Sequence, residues 1–328
     1  MKSYLLAVEI GGTKLQVALG TPEGKIVDVE RGNVDPARGA EGILAWLETA
    51  TTSVIERCPE DGACRAIGIG FGGPVDSATG RVLVSHQVGG WDGVHLKQWF
   101  EERFSLPTCV ENDANAAGWA EYCLGAGQGT NTFVYCNIGS GIGGALVVDG
   151  KLYNGQGLGA CEIGHTWVSD WTSSTPGAID KLEHLCSGWS ITRRIRSWSD
   201  LDTTSPLGQL CDGDAARLTC PMLADAARAG DTRALAEIQA VAAGVGQALA
   251  NVVTLLHPER IAMGGGVSLM GDVLLDALAE RVDALAFGAY QGTFKVVPCA
   301  LEEDVVTAGA LLMAKALAVD SGQLTVGC

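Results

Sequence analysis

One pattern occurs twice. Residues 6–19, LAVEIGGTKLQVAL, and residues 135–148, YCNIGSGIGGALVV, each run from an apolar strand through a glycine-rich turn into a second strand. Each is followed by Gly-Lys and another apolar strand, GKIV at 24–27 and GKLY at 150–153. Two copies of one supersecondary unit in 328 residues predict a duplicated fold, two domains with a central cleft. The predicted boundaries are 1–121 for an N-terminal α/β domain and 122–328 for a C-terminal α/β domain. The last helix, 304–319, is free in this scheme to pack back on the N-terminal domain.

The intervening chain alternates strands and helices, which predicts α/β. Strands are expected at 4–10, 15–19, 26–30, 65–73, 81–85, 107–112, 132–138, 145–153, 260–266 and 294–301. Helices are expected at 39–58, 95–104, 114–125, 219–256, 269–285 and 304–319. Residues 160–200 follow neither period.

Gly139, Gly141 and Gly144 spell G-x-G-x-x-G, yet strand residues and an Asp149-Gly150 bend follow them. A dinucleotide turn needs a helix there. No G-K-[ST] occurs, so a Walker loop is excluded. Gly11 and Gly12 likewise precede a strand. Both loops read as glycine hairpins tipped by Thr13 or Ser140, whose bare N–H groups can cradle phosphate oxygens. Ordinary tight hairpins would look the same. A third cluster, Gly264-Gly265-Gly266, tips the balance to phosphate binding. Lys14 fits a phosphate contact and a solvent-facing strand position equally.

The formal net charge is −16, and the densest basic patch is Arg193, Arg194 and Arg196. Such a surface repels phosphate backbones, so no nucleic-acid partner is expected. Eleven scattered cysteines without a C-x-x-C pair predict reduced thiols in a cytoplasmic protein. Glu9 interrupts the first apolar stretch, which argues against a secretory signal. Residues 235–256 carry Gln239, Gln247, Asn251 and Thr254 and read as a buried helix, with no membrane partner.

Six segments in this order, IGGTK, GGPVD, VENDANAA, GSGIGG, EIGH and HPERIAMGGG, resemble the ROK family of sugar kinases, glucokinase-like members of the actin/hexokinase superfamily. The resemblance spans nearly the whole chain. It implies a duplicated actin-like, ribonuclease-H-type ATPase fold, with ATP and Mg²⁺ as cofactors. It further implies γ-phosphate transfer to a hexose hydroxyl, with sugar and nucleotide as partners and a homodimer as the assembly. Family repressors carry a DNA-binding module ahead of the kinase-like part, and none is expected in a chain that opens on the first glycine-turn strand.

On spacing alone Asn112-Asp113 reads as a helix N-cap. By resemblance Asp113 is the general base, and Asn112, Glu162, His165 and Glu183 contact sugar hydroxyls beside the backbone at Gly73. The resemblance assigns Gly11, Gly12, Thr13, Lys14, Gly139, Ser140, Gly141 and Gly264–Gly266 to the nucleotide, and Glu9 to Mg²⁺. Glu162 and His165, three apart, fit a helix face or a loop. Trp167, Trp171 and Trp189 fit core packing better than a pocket wall.

Three departures from the family pattern stand out. Glu9 replaces the usual Asp. The stretch 174–181, STPGAIDK, lacks the cysteines of the family's zinc motif, so no structural zinc site is expected although His165 remains. The expected sugar-contacting Asn is absent, and His86 and Gln87 stand in its region. These departures keep open a sugar-binding regulator without catalysis. A kinase for fructose, mannose, allose or an N-acetylhexosamine, and polyphosphate as donor, stay open as well.

Overall fold

The computed structural model describes residues 2–85 and 87–322; His86 lies outside the described residues. The chain forms two compact units. The first comprises residues 2–125, Leu152–Ala160 and 301–322, and the second Ala126–Lys151 and Cys161–Ala300.

The first unit contains β1 (Lys2–Ile10), β2 (Lys14–Gly20), β3 (Ile26–Asn33), α1 (Gly39–Glu56) and β4 (Gly62–Phe71). There follow the short pair β5 (Val75–Asp76) and β6 (Arg81–Val82), then α2 (Leu96–Phe104), β7 (Thr108–Asn112) and α3 (Asp113–Leu124). The sheet order is β3-β2-β1-β4-β7. β1 pairs antiparallel with β2 and parallel with β4, and β4 pairs parallel with β7. β1 is buried from Tyr4 to Ile10, so it reads as a continuous apolar run rather than an alternating one. Its side chains still alternate in direction. Leu6, Val8 and Ile10 enter one core with Ile43, Leu47 and Val54 of α1. Leu5 and Ala7 enter another with Ala310, Leu311 and Ala314 of the last helix, α10 (Val305–Asp320). That helix packs at backbone distance. A Cβ on Gly68 would strike the carbonyl of Ala310, and one on Gly309 the carbonyl of Ala116.

The second unit repeats the plan with β8 (Phe133–Ile138), β9 (Ile142–Val148), β10 (Lys151–Leu152), β13 (Arg260–Gly264) and β14 (Lys295–Pro298), in the order β10-β9-β8-β13-β14. β8 pairs antiparallel with β9 and parallel with β13. The two sheets share one topology, the duplicated ribonuclease-H-like fold of actin-type proteins that the repeated segments predict. A two-stranded pair, β11 (Trp167–Ser169) and β12 (Ile179–Lys181), precedes α4 (Leu182–Cys186) and α5 (Gly188–Arg196). Next come α6 (Pro206–Leu210), α7 (Cys220–Arg228), α8 (Thr232–Leu256) and α9 (Asp272–Leu285). Among the described residues α8 is the one helix long and apolar enough to cross a membrane, and 56% of its apolar window is buried inside the protein. Ile238, Val241, Val245, Leu249 and Val253 recur at helical spacing and fill this unit's core.

Several expected bounds shift for local reasons. The helical stretch 219–256 is two helices, broken by Gly230 (φ 84°) and by Asp231, which caps α8 through the N–H groups of Arg233 and Ala234. The strand expected at 81–85 stops at Val82, because Leu83 N–H bonds to the Pro74 carbonyl instead of extending a ladder. The helix expected from 269 begins at Asp272, after a 3-10 turn at Ser268–Met270 and Gly271 at φ 68°. The strand expected over 294–301 narrows to β14, and the helix expected over 39–58 ends at Glu56. Residues 160–200 escaped the periodic signal because their elements span three to nine residues.

Candidate active site

The first glycine loop joins β1 to β2. Gly11 N–H bonds to the Lys14 carbonyl at 3.0 Å. Neither Gly11 nor Gly12 has positive φ, so a strained turn does not explain them. Close approach does: a Cβ on Gly12 would fall on the Gln87 carboxamide. Beside this loop β4 ends at Gly72 and Gly73. A Cβ on Gly72 would lie 3.4 Å from Asp113 Oδ2 and 3.5 Å from Gly11 Cα. The backbone at Gly72 therefore sits between the first loop and the Asp113 carboxylate.

Asp113 opens α3 at the end of β7. Asn112 is the N-cap: its Oδ1 accepts from the N–H groups of Ala114 (2.9 Å) and Asn115 (3.2 Å). Its Nδ2 donates to the Gly73 carbonyl at 3.1 Å. The N-cap reading from spacing holds for Asn112, and it leaves Asp113 in the first turn. There the helix N-terminus favours the ionised carboxylate.

Glu111 was missed by sequence reasoning. It is buried, and its carboxylate accepts from Asn112 N (2.9 Å), Asn115 Nδ2 (3.0 Å), Ser77 Oγ (2.9 Å) and Asn154 Nδ2 (2.6 Å). The signal was visible only as the Glu in VENDANAA; its partners at 77 and 154 are remote in sequence.

Glu9 is 8% exposed and held by three donors. Gln16 Nε2 (2.6 Å) and Thr307 Oγ1 (3.4 Å) reach Oε2, and Lys14 Nζ lies 3.4 Å from Oε1. Lys14 thus pairs with Glu9, whichever further contact it makes. Mg²⁺ is commonly bound through one or two carboxylates, phosphates and water. Glu9 fits that pattern with one oxygen, Oε1, on the side of the partly exposed Lys14. Among the described residues no group of three or more His, Cys, Asp or Glu forms a metal cluster.

In the second unit Gly139 N–H bonds to the Gly141 carbonyl at 2.9 Å, closing the loop between β8 and β9. Glu183 docks on this loop, its Oε2 accepting from Ile142 N–H at 2.8 Å. A Cβ on Gly141 would lie 2.6 Å from that same oxygen. The third glycine run stands beside the second: Gly265 (φ 83°) would place a Cβ 2.5 Å from the backbone of Ile138, and Val267 N–H bonds to the Ile138 carbonyl at 2.9 Å. Gly266 is exposed with open space around it.

Glu162 caps a 3-10 turn, Ile163–His165, in which residues three apart eclipse. Both side chains belong to exposed residues. Gly164 packs against the Ile142 carbonyl, and Gly144 leaves room for the carbonyl of Cys161. The third glycine of G-x-G-x-x-G therefore serves loop packing. Lys181, unremarked in the sequence, places Nζ 3.2 Å from His165 Nδ1. Burial pushes the thiols of Cys161 and Cys186 up to about 12, which keeps them protonated. Trp171 packs on the core as expected, but Trp167 (58%) and Trp189 (63%) are exposed. Trp167 lies on the solvent face of the β11–β12 pair, which alternates exposed, buried, exposed along β11.

The description of the ROK family matches residues 5–317. A glucokinase from Thermotoga maritima is 31% identical over 318 residues, covering 96% of this chain and 98% of that protein. Among solved structures, a ROK family glucokinase from Streptomyces griseus, in complex with glucose and AMPPNP, is 30% identical with a TM-score of 0.79, over 95% of this chain and 99% of that one. A ROK family transcriptional regulator, homologous to the Escherichia coli MLC protein, has a TM-score of 0.83 at 23% identity, over 97% of this chain and 79% of its own. That last likeness is one of fold. With its sequence matched from residue 5 to residue 317, the chain belongs to the ROK family.

Proposed function

We propose that the chain is an ATP-dependent hexose kinase, with glucose as acceptor and glucose 6-phosphate as product. The observation that carries this reading is the position of Asp113, with Oδ2 3.4 Å from where a Cβ on Gly72 would sit, next to Gly11 of the first glycine loop. A carboxylate beside a phosphate-cradling loop suits phosphoryl transfer, which depends on positioning and on acceptance of the hydroxyl proton. The Thermotoga and Streptomyces glucokinases support the substrate class.

In this reading the sugar hydroxyl attacks the γ-phosphorus in line. Its proton passes to Asp113, the bond to the β–γ bridging oxygen breaks, and ADP leaves. Asn112 and the Gly73 backbone orient the sugar, and Glu162, His165 and Glu183 supply its other hydrogen bonds. Gly11, Gly12, Thr13 and Lys14 hold phosphate oxygens, as do Gly139, Ser140, Gly141 and Gly264–Gly266 in the second unit. When Mg²⁺ is bound with the nucleotide it neutralises phosphate charge, and Glu9 is the carboxylate that would hold it through water.

One observation favours a second reading, a sugar-binding regulator without turnover: the Glu9 carboxylate is already engaged by Gln16, Thr307 and Lys14. A panel of hexoses assayed for ADP release with Mg-ATP and with polyphosphate separates the two. Turnover with glucose, abolished by Asp113→Asn, supports the kinase. Glucose binding by calorimetry with no acceptor phosphorylated from either donor would sink it.

A further inference from the structure

We infer that Lys181 is a positioning residue for His165, fixing the imidazole in its Nε2–H tautomer. The contact is Lys181 Nζ to His165 Nδ1, 3.2 Å. An ammonium carries three donors and no acceptor, so the ring nitrogen it meets must be bare. A neutral ring whose Nδ1 is bare carries its proton on Nε2. His165 then offers a donor, while Glu162, eclipsing it on the 3-10 turn, offers an acceptor. Adjacent sugar hydroxyls both donate and accept, so this ordered pair matches a vicinal diol.

The fold holds Lys181 in place. It ends β12, directly opposite Trp167 in the antiparallel register with β11. The next amide, Leu182 N–H, bonds to the Thr166 carbonyl at 2.9 Å, which clamps this strand end beside the turn carrying His165. The neighbouring carboxylate, Asp180, is taken up by His184 Nδ1 (2.9 Å) and by the Lys181 amide (2.7 Å).

The tautomer assignment stands on geometry alone; its use in sugar recognition rests on the hexose-kinase reading. Long-range ¹H–¹⁵N spectra of histidine-labelled protein read the tautomer directly. The wild type and Lys181→Arg should show His165 protonated at Nε2, and Lys181→Met should show mixed tautomers. With glucose and ATP, Lys181→Met should raise the sugar KM about tenfold, the equivalent of one net hydrogen bond, with kcat within about twofold. Lys181→Arg should restore most of that loss. A wild-type ring protonated at Nδ1, or a Lys181→Met protein with unchanged ring and KM, overturns the assignment. A chain that phosphorylates no hexose yet shows the Nε2–H ring, lost in Lys181→Met, sinks the kinase reading and keeps the tautomer assignment.

Discussion

Asn112 donates through Nδ2 to the carbonyl of Gly73 at 3.1 Å, tying the first turn of α3 to the glycine step that ends β4. The same side chain caps the helix through Oδ1. Stability and chemistry are therefore divided between neighbours: Asn112 holds the backbone, and Asp113 projects the carboxylate.

That division gives opposite signatures. Asp113→Asn should lower kcat by about 10²–10⁴ while the melting temperature stays within about 2 °C. Asn112→Ala should destabilise by about 1–2 kcal/mol through the lost cap. Steady-state kinetics and thermal melts of both variants check the pair. An Asp113→Asn enzyme with near-normal kcat would remove the general base from the mechanism.

Glu111→Ala should destabilise the protein by about 3 kcal/mol, because the donors of Asn112, Asn115, Ser77 and Asn154 lose a shared buried acceptor. The shift of the urea midpoint measures it. A loss below about 0.5 kcal/mol would mean that water replaces the carboxylate and that Glu111 holds nothing in place.

Gly265 and Gly266 should separate folding from ligand binding. Alanine at Gly265 combines φ 83° with a Cβ 2.5 Å from the Ile138 backbone and should cost about 3 kcal/mol of stability. Alanine at Gly266 meets open space and should leave stability within about 0.5 kcal/mol, yet raise the KM for ATP severalfold. Equal melting temperatures for the two variants would contradict the geometry.

Three thiols should resist alkylation. Burial pushes Cys109, Cys161 and Cys186 from the ordinary 9.0 up to about 12. At pH 8 their thiolate fraction is then about one in 10⁴, against about one in ten for an unperturbed thiol of that ordinary value. Mass spectrometry after iodoacetamide should find them unmodified in native protein and modified after denaturation, with native labelling rising as the pH climbs toward 12. Rapid labelling at pH 8 would show these sites open to solvent.

The sequence carried the sheet plan because β1, β2, β8 and β9 are long enough to show a period, and because glycines marked both turns. It also carried the family's motif residues. Two functional partners were hidden for a physical reason. Glu111 acquires its role from Ser77 and Asn154, which the fold brings together. Lys181 acquires its role from the β11–β12 register, in strands of three residues that no periodic window detects. The exposed Trp167 and Trp189 were misread because apolar mass alone was taken to mean burial. Gln87 proved to lie over Gly12 rather than in any position that SHQVGGW alone could reveal.

The helix that covers Leu5 and Ala7 is drawn from residues 305–320, whereas the second unit is complete by Ala300. On the ribosome the later half of the gene product therefore has all its parts before the earlier half does. A nascent chain stalled at residue 300 would carry one bare face of its first sheet, and dye binding to such stalled chains, relieved when translation resumes, is the measurable trace of that order.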